Sequence, residues 1–226
     1  MSRTVLVADG ETPIGRSLVR LFRQAGHRVV ATQGTTQKPE PGEEGTEIVR
    51  ASWSRPSPVS ARNVMLTTLT ALERLDMAVF VFAPNLKRLL LHEADYADIE
   101  SAVDEHLRGT LFLLREVLGR FVRQGSGALG LVQSFTSHDS AECPPLEAMV
   151  RGGINELTGS ILASYGGEGV TVYRFETASA KAEEYARFVV GTLCGSARRP
   201  PRPGTFRFRP SGGILDRLPF RRRRRG

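Results

Sequence analysis

The chain has 226 residues, 31 basic against 24 acidic, and a formal net charge of +7. Eleven arginines and the one acid Asp216 lie between positions 198 and 226, which leaves 20 basic and 23 acidic residues in the body, a net charge of −3. A body that binds nucleic acid over a broadly basic surface is thereby excluded, and the basicity belongs to the C-terminal segment.

A hydrophobic content of 40% and this length suit one folded α/β domain. Two cysteines, Cys143 and Cys194, make no disulfide framework and suit a reducing compartment. The first residues run directly into a strand pattern with no apolar signal core. The densest apolar run, Met77 to Pro84, is far shorter than the roughly 20 residues a bilayer requires. A cytoplasmic protein with no membrane span is expected.

In chain order, Thr4–Ala8 is a short apolar run and reads as a buried strand. Pro13–Ala25 carries Ile14, Leu18, Leu21 and Phe22 at helical spacing, and Gly26 ends it. Arg28–Thr32 is a second strand, residues 33–45 are a Gly/Pro-rich loop, and Glu47–Ala51 is a weaker third strand. A helix over Ser60–Leu75 and an apolar strand over Ala78–Phe82 follow. Asp95–Arg123 is a long helix with Ile99, Val103, Leu107, Leu111, Leu114 and Leu118 on one stripe. Then come a strand at Ala128–Phe135, a helix at Leu146–Tyr165, a strand at Val170–Phe175 and a helix at Ala182–Leu193. Thr205–Arg209 alternates apolar and basic residues, the pattern of an exposed or edge strand. Strands alternating with helices predict a Rossmann-like three-layer sandwich: one domain over residues 1–213, a mostly parallel seven-stranded sheet, and a basic tail over 214–226.

The first strand, turn and helix read Val5-Leu6-Val7-Ala8-Asp9-Gly10-Glu11-Thr12-Pro13-Ile14-Gly15. This resembles the short-chain dehydrogenase/reductase family, whose turn is Thr-Gly-x-x-x-Gly-Ile-Gly. Further stretches resemble the family in order and spacing: Ala94–Thr110 its long interface helix, Gly127–Ser134 its fifth strand, Gly153–Ala163 the helix after its catalytic pair, and Thr205–Gly213 its last strand and following turn. The resemblance implies a dinucleotide cofactor cradled at Asp9, Gly10, Pro13, Ile14 and Gly15. Of these, only Ile14 and Gly15 match outright. Asp9 stands in the first glycine position and Pro13 in the second. Two carboxylates, Asp9 and Glu11, oppose phosphate charge, and Pro13 has no N–H to give it. Thr12 as N-cap with Pro13 in the first turn is the plain helix-start reading.

The family's catalytic tetrad falls on His106 (Asn position), Ser134 (Ser), Glu147 (Tyr) and Arg151 (Lys). The serine alone survives. Hydride transfer to a carbonyl leaves an alkoxide that needs a proton. A carboxylate beside an arginine holds none to give, and arginine does not titrate. Glu147 and Arg151, four apart on a helix, make instead a favourable ion pair of surface type. No acid ends the second strand to hold a ribose diol, Arg28 lies too early in that strand to bind phosphate, the family's adenine-side Asp falls near Ser52, Phe80–Pro84 replaces a cofactor-lining turn, and the substrate lid after the sixth strand is missing.

Neither His27, His92, His106 and His138 nor the cysteines have metal-ligand spacing, so no metal is expected. Ser134 with His138 and Asp139 or Glu142 lacks the elbow a hydrolytic triad needs. The favoured expectation is a catalytically inactive family-like subunit with no bound cofactor. It would support or regulate an active paralogue in a hetero-oligomer, one acting on a hydroxyacyl or ketoacyl thioester, or else form a homo-oligomer. One alternative is a divergent NADP(H)-dependent oxidoreductase that takes its proton through Ser134 or His106. Another is a binding module whose Arg221, Arg222, Arg223, Arg224 and Arg225 meet an acidic surface, nucleic acid being the less favoured ligand.

Overall fold

A computed structural model describes residues 2–34, 48–135, 143–195 and 202–210. The elements are β1 (Thr4–Ala8), α1 (Pro13–Gln24), β2 (Arg28–Gln33), β3 (Val49–Ser52), α2 (Pro58–Leu72), β4 (Met77–Phe82), α3 (Tyr96–Val103), α4 (Gly109–Gln124), β5 (Gly127–Gln133), α5 (Pro145–Ser164), β6 (Val170–Glu176), α6 (Ala182–Cys194) and β7 (Gly204–Arg207). The strands form one sheet in the order β3-β2-β1-β4-β5-β6-β7, and every pairing is parallel. The expected Rossmann-like α/β domain is present, with a sheet that is wholly rather than mostly parallel.

Period-two alternation splits the core into two layers. Val5, Val7, Val79, Val81 and Phe175 face α1 and α6, where Leu18, Phe22, Tyr185 and Val189 meet them. Leu6, Ala78, Phe80, Leu129 and Leu131 face the opposite layer of α2, α4 and α5, against Val64, Leu113, Val117, Val150 and Ile154. Because β4 is buried on both faces along its whole length, it reads as an unbroken apolar run. Phe80 and Phe82, expected to stand in place of a cofactor-lining turn, are core residues of this strand, with ring centroids 6.4 Å apart.

The long helix departs from its expectation. Between α3 and α4, Asp104–Arg108 forms a π-helical turn, and the Gly109 N–H donates to the Asp104 carbonyl five residues back. The apolar stripe read from the sequence does not lie on one buried face. Leu114 and Leu118 are buried, whereas Val103 and Leu111 are exposed.

With β3 at the other edge, β7 is one of the two edge strands, as expected. Its Phe206 is buried against Phe175, and Arg207 joins Arg174 in pairing with the buried Glu176. Residues 177–181 alone connect β6 to α6, leaving no length for a lid there. No helix among the described residues is long and apolar enough to cross a membrane. The tail beyond 210, including Arg221–Arg225, lies outside the described residues, as do His138, Asp139 and Glu142.

Candidate functional site

Chain order along the sheet reverses at β1, which has β2 on one side and β4 on the other. In open α/β sheets, ligands bind in the crevice beyond the carboxyl ends of the strands at such a point. Asp9 begins the turn that leaves β1, with φ +63, a left-handed conformation that aspartate tolerates better than most residues. Its N–H donates to Thr32 Oγ1 at 2.9 Å, and its carbonyl accepts from the Thr12 hydroxyl at 2.9 Å. Thr12 Oγ1 in turn accepts the Gly15 N–H at 3.0 Å, so Thr12 caps α1 and Pro13 opens it. The turn closes so tightly that a Cβ on Gly15 would lie 2.0 Å from the Asp9 carbonyl oxygen. Nearby, Glu11 Oε2 accepts the Gly34 N–H at 2.7 Å.

Arg55, in the loop after β3, crosses this crevice. Its guanidinium pairs with the Asp9 carboxylate, and Nη1 donates to the Glu105 carbonyl at 3.1 Å, within the π turn. The guanidinium also lies 4.5 Å from the centre of the Trp53 ring. Its backbone rests on α4 at Gly109, where a Cβ would come within 2.7 Å of the Arg55 carbonyl oxygen. Burial raises the Asp9 carboxyl above its usual range while Arg55 pulls it the other way. Burial and then the Arg55 charge push His106 down to about 4, so its imidazole is neutral near pH 7. The space left between Asp9, Arg55, Phe82, Pro84, His106 and Ile154 is about 30 Å³. Sequence reasoning missed Arg55 and Trp53. The available signal was Asp9 itself, since a carboxylate in a buried turn needs a cation.

The other tetrad positions lie apart from this cavity. Ser134 donates its hydroxyl to the Phe82 carbonyl at 3.1 Å. Glu147 and Arg151 do form an ion pair, at 2.5 Å, but not the surface pair expected. Position 147 shares a helical face with Val150 and Ile154, which α5 packs on the sheet, so Glu147 is 7% exposed. The Arg151 guanidinium stacks 5.3 Å from the Phe135 ring centre, and its buried Nε has no hydrogen-bond partner.

Arg28, at the start of β2, donates to the Ala71 carbonyl at 2.6 Å, away from the crevice. His27 accepts the Arg3 N–H on Nδ1 at 3.1 Å and meets Cys194 Sγ through Nε2 at 3.2 Å, also remote from it. His92 is exposed. Among the described residues, no three His, Cys, Asp or Glu side chains are grouped as metal ligands. On the outer surface, a groove of about 540 Å³ runs between α4 and α5, lined by Leu111, Leu118, Val122, Leu157, Ile161 and Tyr165.

No family model matches this chain, and no curated protein matches it. Solved structures do. A structure assigned as a 3-oxoacyl-reductase from Bacillus thuringiensis superposes with a TM-score of 0.75 at 14% identity, covering 95% of this chain and 100% of that one. The TT0495 protein of Thermus thermophilus superposes at 0.69 with 19% identity, covering 84% and 90%. What is shared is the Rossmann-like fold, a frame also seen in an oxidoreductase. At these identities the likeness is one of architecture, and activity has to be argued from the site.

Proposed function

We propose that this chain is a non-catalytic subunit built on a short-chain dehydrogenase-like frame, which supports or regulates a catalytically active relative. The observation that carries this reading is the Glu147–Arg151 pair. It fills the positions where a phenol and an amine would supply a proton, and it is locked on Phe135. Carbonyl reduction needs a positioned donor with a transferable proton. A carboxylate held by a guanidinium has none, and the Ser134 hydroxyl is committed to the Phe82 carbonyl. His106, neutral above about pH 4, brings no imidazolium to replace them.

Docking surface remains where chemistry has gone. Leu111, Val122 and Met149 are 48%, 40% and 41% exposed on α4 and α5, and the groove between these helices is apolar with a charged rim of Arg115, Glu116 and Arg123. Such a face suits a helix pair of a second subunit. The Bacillus thuringiensis structure bears the name of a 3-oxoacyl-reductase, which supports an active partner that reduces an oxoacyl group. Co-purification from the native host tests this: a partner carrying an intact Tyr-x-x-x-Lys pair is the expected result. Turnover of any carbonyl by this chain alone with NADPH or NADH would refute it.

A further inference from the structure

We infer that Arg55 is the resident occupant of the switch-point crevice and that it closes this crevice to dinucleotides. The inference rests on the non-catalytic reading above and gives the physical reason that no cofactor would enter.

Three groups hold Arg55 in place at once. The carboxylate of Asp9 balances its charge, the Glu105 carbonyl takes a donor, and the Trp53 ring covers a face of the guanidinium. These come from three separate parts of the chain: the turn after β1, the π turn before α4, and the loop after β3. The arginine therefore bridges the walls of the crevice. Gly109 gives the loop its seat, because any side chain there would collide with the Arg55 backbone. The Asp9 and Arg55 side chains are only 12% and 21% exposed.

A dinucleotide does not fit these residues. The roughly 30 Å³ left between these residues has room for solvent alone, and the larger hollow of about 710 Å³ beside Gly10, Pro13 and Arg16 lies outside this crevice. A phosphate approaching the start of α1 would meet the Asp9 and Glu11 carboxylates. Pro13 offers no N–H, and Gly15 gives its own to Thr12. Admitting the ligand would require Arg55 to leave, which strands a buried carboxylate.

Trp53 is the only tryptophan in the chain, so its fluorescence reports on the arginine over its ring. Calorimetric titration of the full chain with NADPH and with ADP-ribose tests the inference. The wild type is expected to bind neither at concentrations up to about 1 mM. The double variant Asp9→Gly/Arg55→Gly should bind ADP-ribose at least about tenfold more tightly and show an altered Trp53 emission. Asp9→Gly alone suits the positive φ at that position and serves as the variant least prone to misfold. It should move the Trp53 emission by releasing Arg55, whereas Arg55→Lys should leave the crevice closed. Tight nucleotide binding by the wild type would overturn the inference, as would a folded double variant that binds no better than the wild type. Nucleotide binding without turnover would sink this inference alone, while turnover would sink the functional reading.

Discussion

Replacing His106 with Asn should flatten the acid limb of the stability profile. The fold holds this imidazole neutral by burying it beside Arg55, down to about 4 from an ordinary 6.5. Unfolding releases it to take a proton. Between those two values the unfolded chain binds more protons than the native one, so stability falls as pH drops from about 6.5 and the loss is complete near pH 4. At about 1.4 kcal/mol for each tenfold change, His106 costs roughly 2 kcal/mol between pH 7 and pH 5. Allowing for the partial contact of the side chain with solvent brings this to about 1–2 kcal/mol. Burial lowers His27 as well and raises the Asp9 carboxyl, whose contribution runs the opposite way, so the total slope belongs to several groups and only the difference between wild type and variant isolates His106. Asp76, lowered by its bonds from the Thr4 N–H and hydroxyl and from Arg74, loses its contribution only below the usual carboxylate range. Urea unfolding at half-unit steps from pH 4.5 to 7.5 provides the measurement. If wild type and His106→Asn lose stability in parallel over that range, the histidine is not held neutral by its surroundings and the reasoning fails.

Three further outcomes are expected. Gly15→Ala places a Cβ against the Asp9 carbonyl, which neither backbone segment can yield to, and should lower stability by about 3 kcal/mol in thermal or urea unfolding. Glu147→Tyr with Arg151→Lys rebuilds the proton-donating pair, yet NADPH-dependent carbonyl reduction should stay at background because Arg55 still fills the crevice; a spectrophotometric assay at 340 nm reads this. Leu111→Asp puts a charge on the exposed face of α4 and should dissociate any complex formed there by at least about tenfold, with the monomer's thermal midpoint little changed, as sedimentation and melting would show.

Strand positions were legible because the central strands are short apolar runs bounded by turn residues and β7 alternates, and observed limits fall within about two residues of those read from the sequence. The start of α1 was legible for the same local reason: Thr12 and Pro13 carry their own capping chemistry. The crevice was not. Asp9 reads in sequence as a charge that repels phosphate, and only the fold brings Arg55, 46 positions away, to neutralise it. Glu147 was misplaced for a related reason. A Glu and an Arg four apart look like a solvated pair until Val150 and Ile154, at spacings three and seven, are seen to define the buried face that Glu147 shares. Side-chain periodicity also conceals the π turn, since the hydrogen-bond pattern of the backbone leaves no mark on residue type.

That π turn amounts to one extra residue threaded into a single long helix. Each α-helical residue turns about 100° around the axis, so a one-residue surplus shifts the angular phase of everything before it relative to everything after. Two amphipathic helices out of phase therefore share one axis, and each can present its apolar side in a direction that a regular helix would forbid. The Glu105 carbonyl that accepts from Arg55 lies within the same turn. Excising one residue from 104–108 would restore the α-helical phase. It would swing α3 by about a quarter turn against α4 and withdraw the carbonyl from the crevice in a single step. The closed crevice thus depends on helical phase, whereas the groove between α4 and α5 is built wholly from residues that follow the insertion.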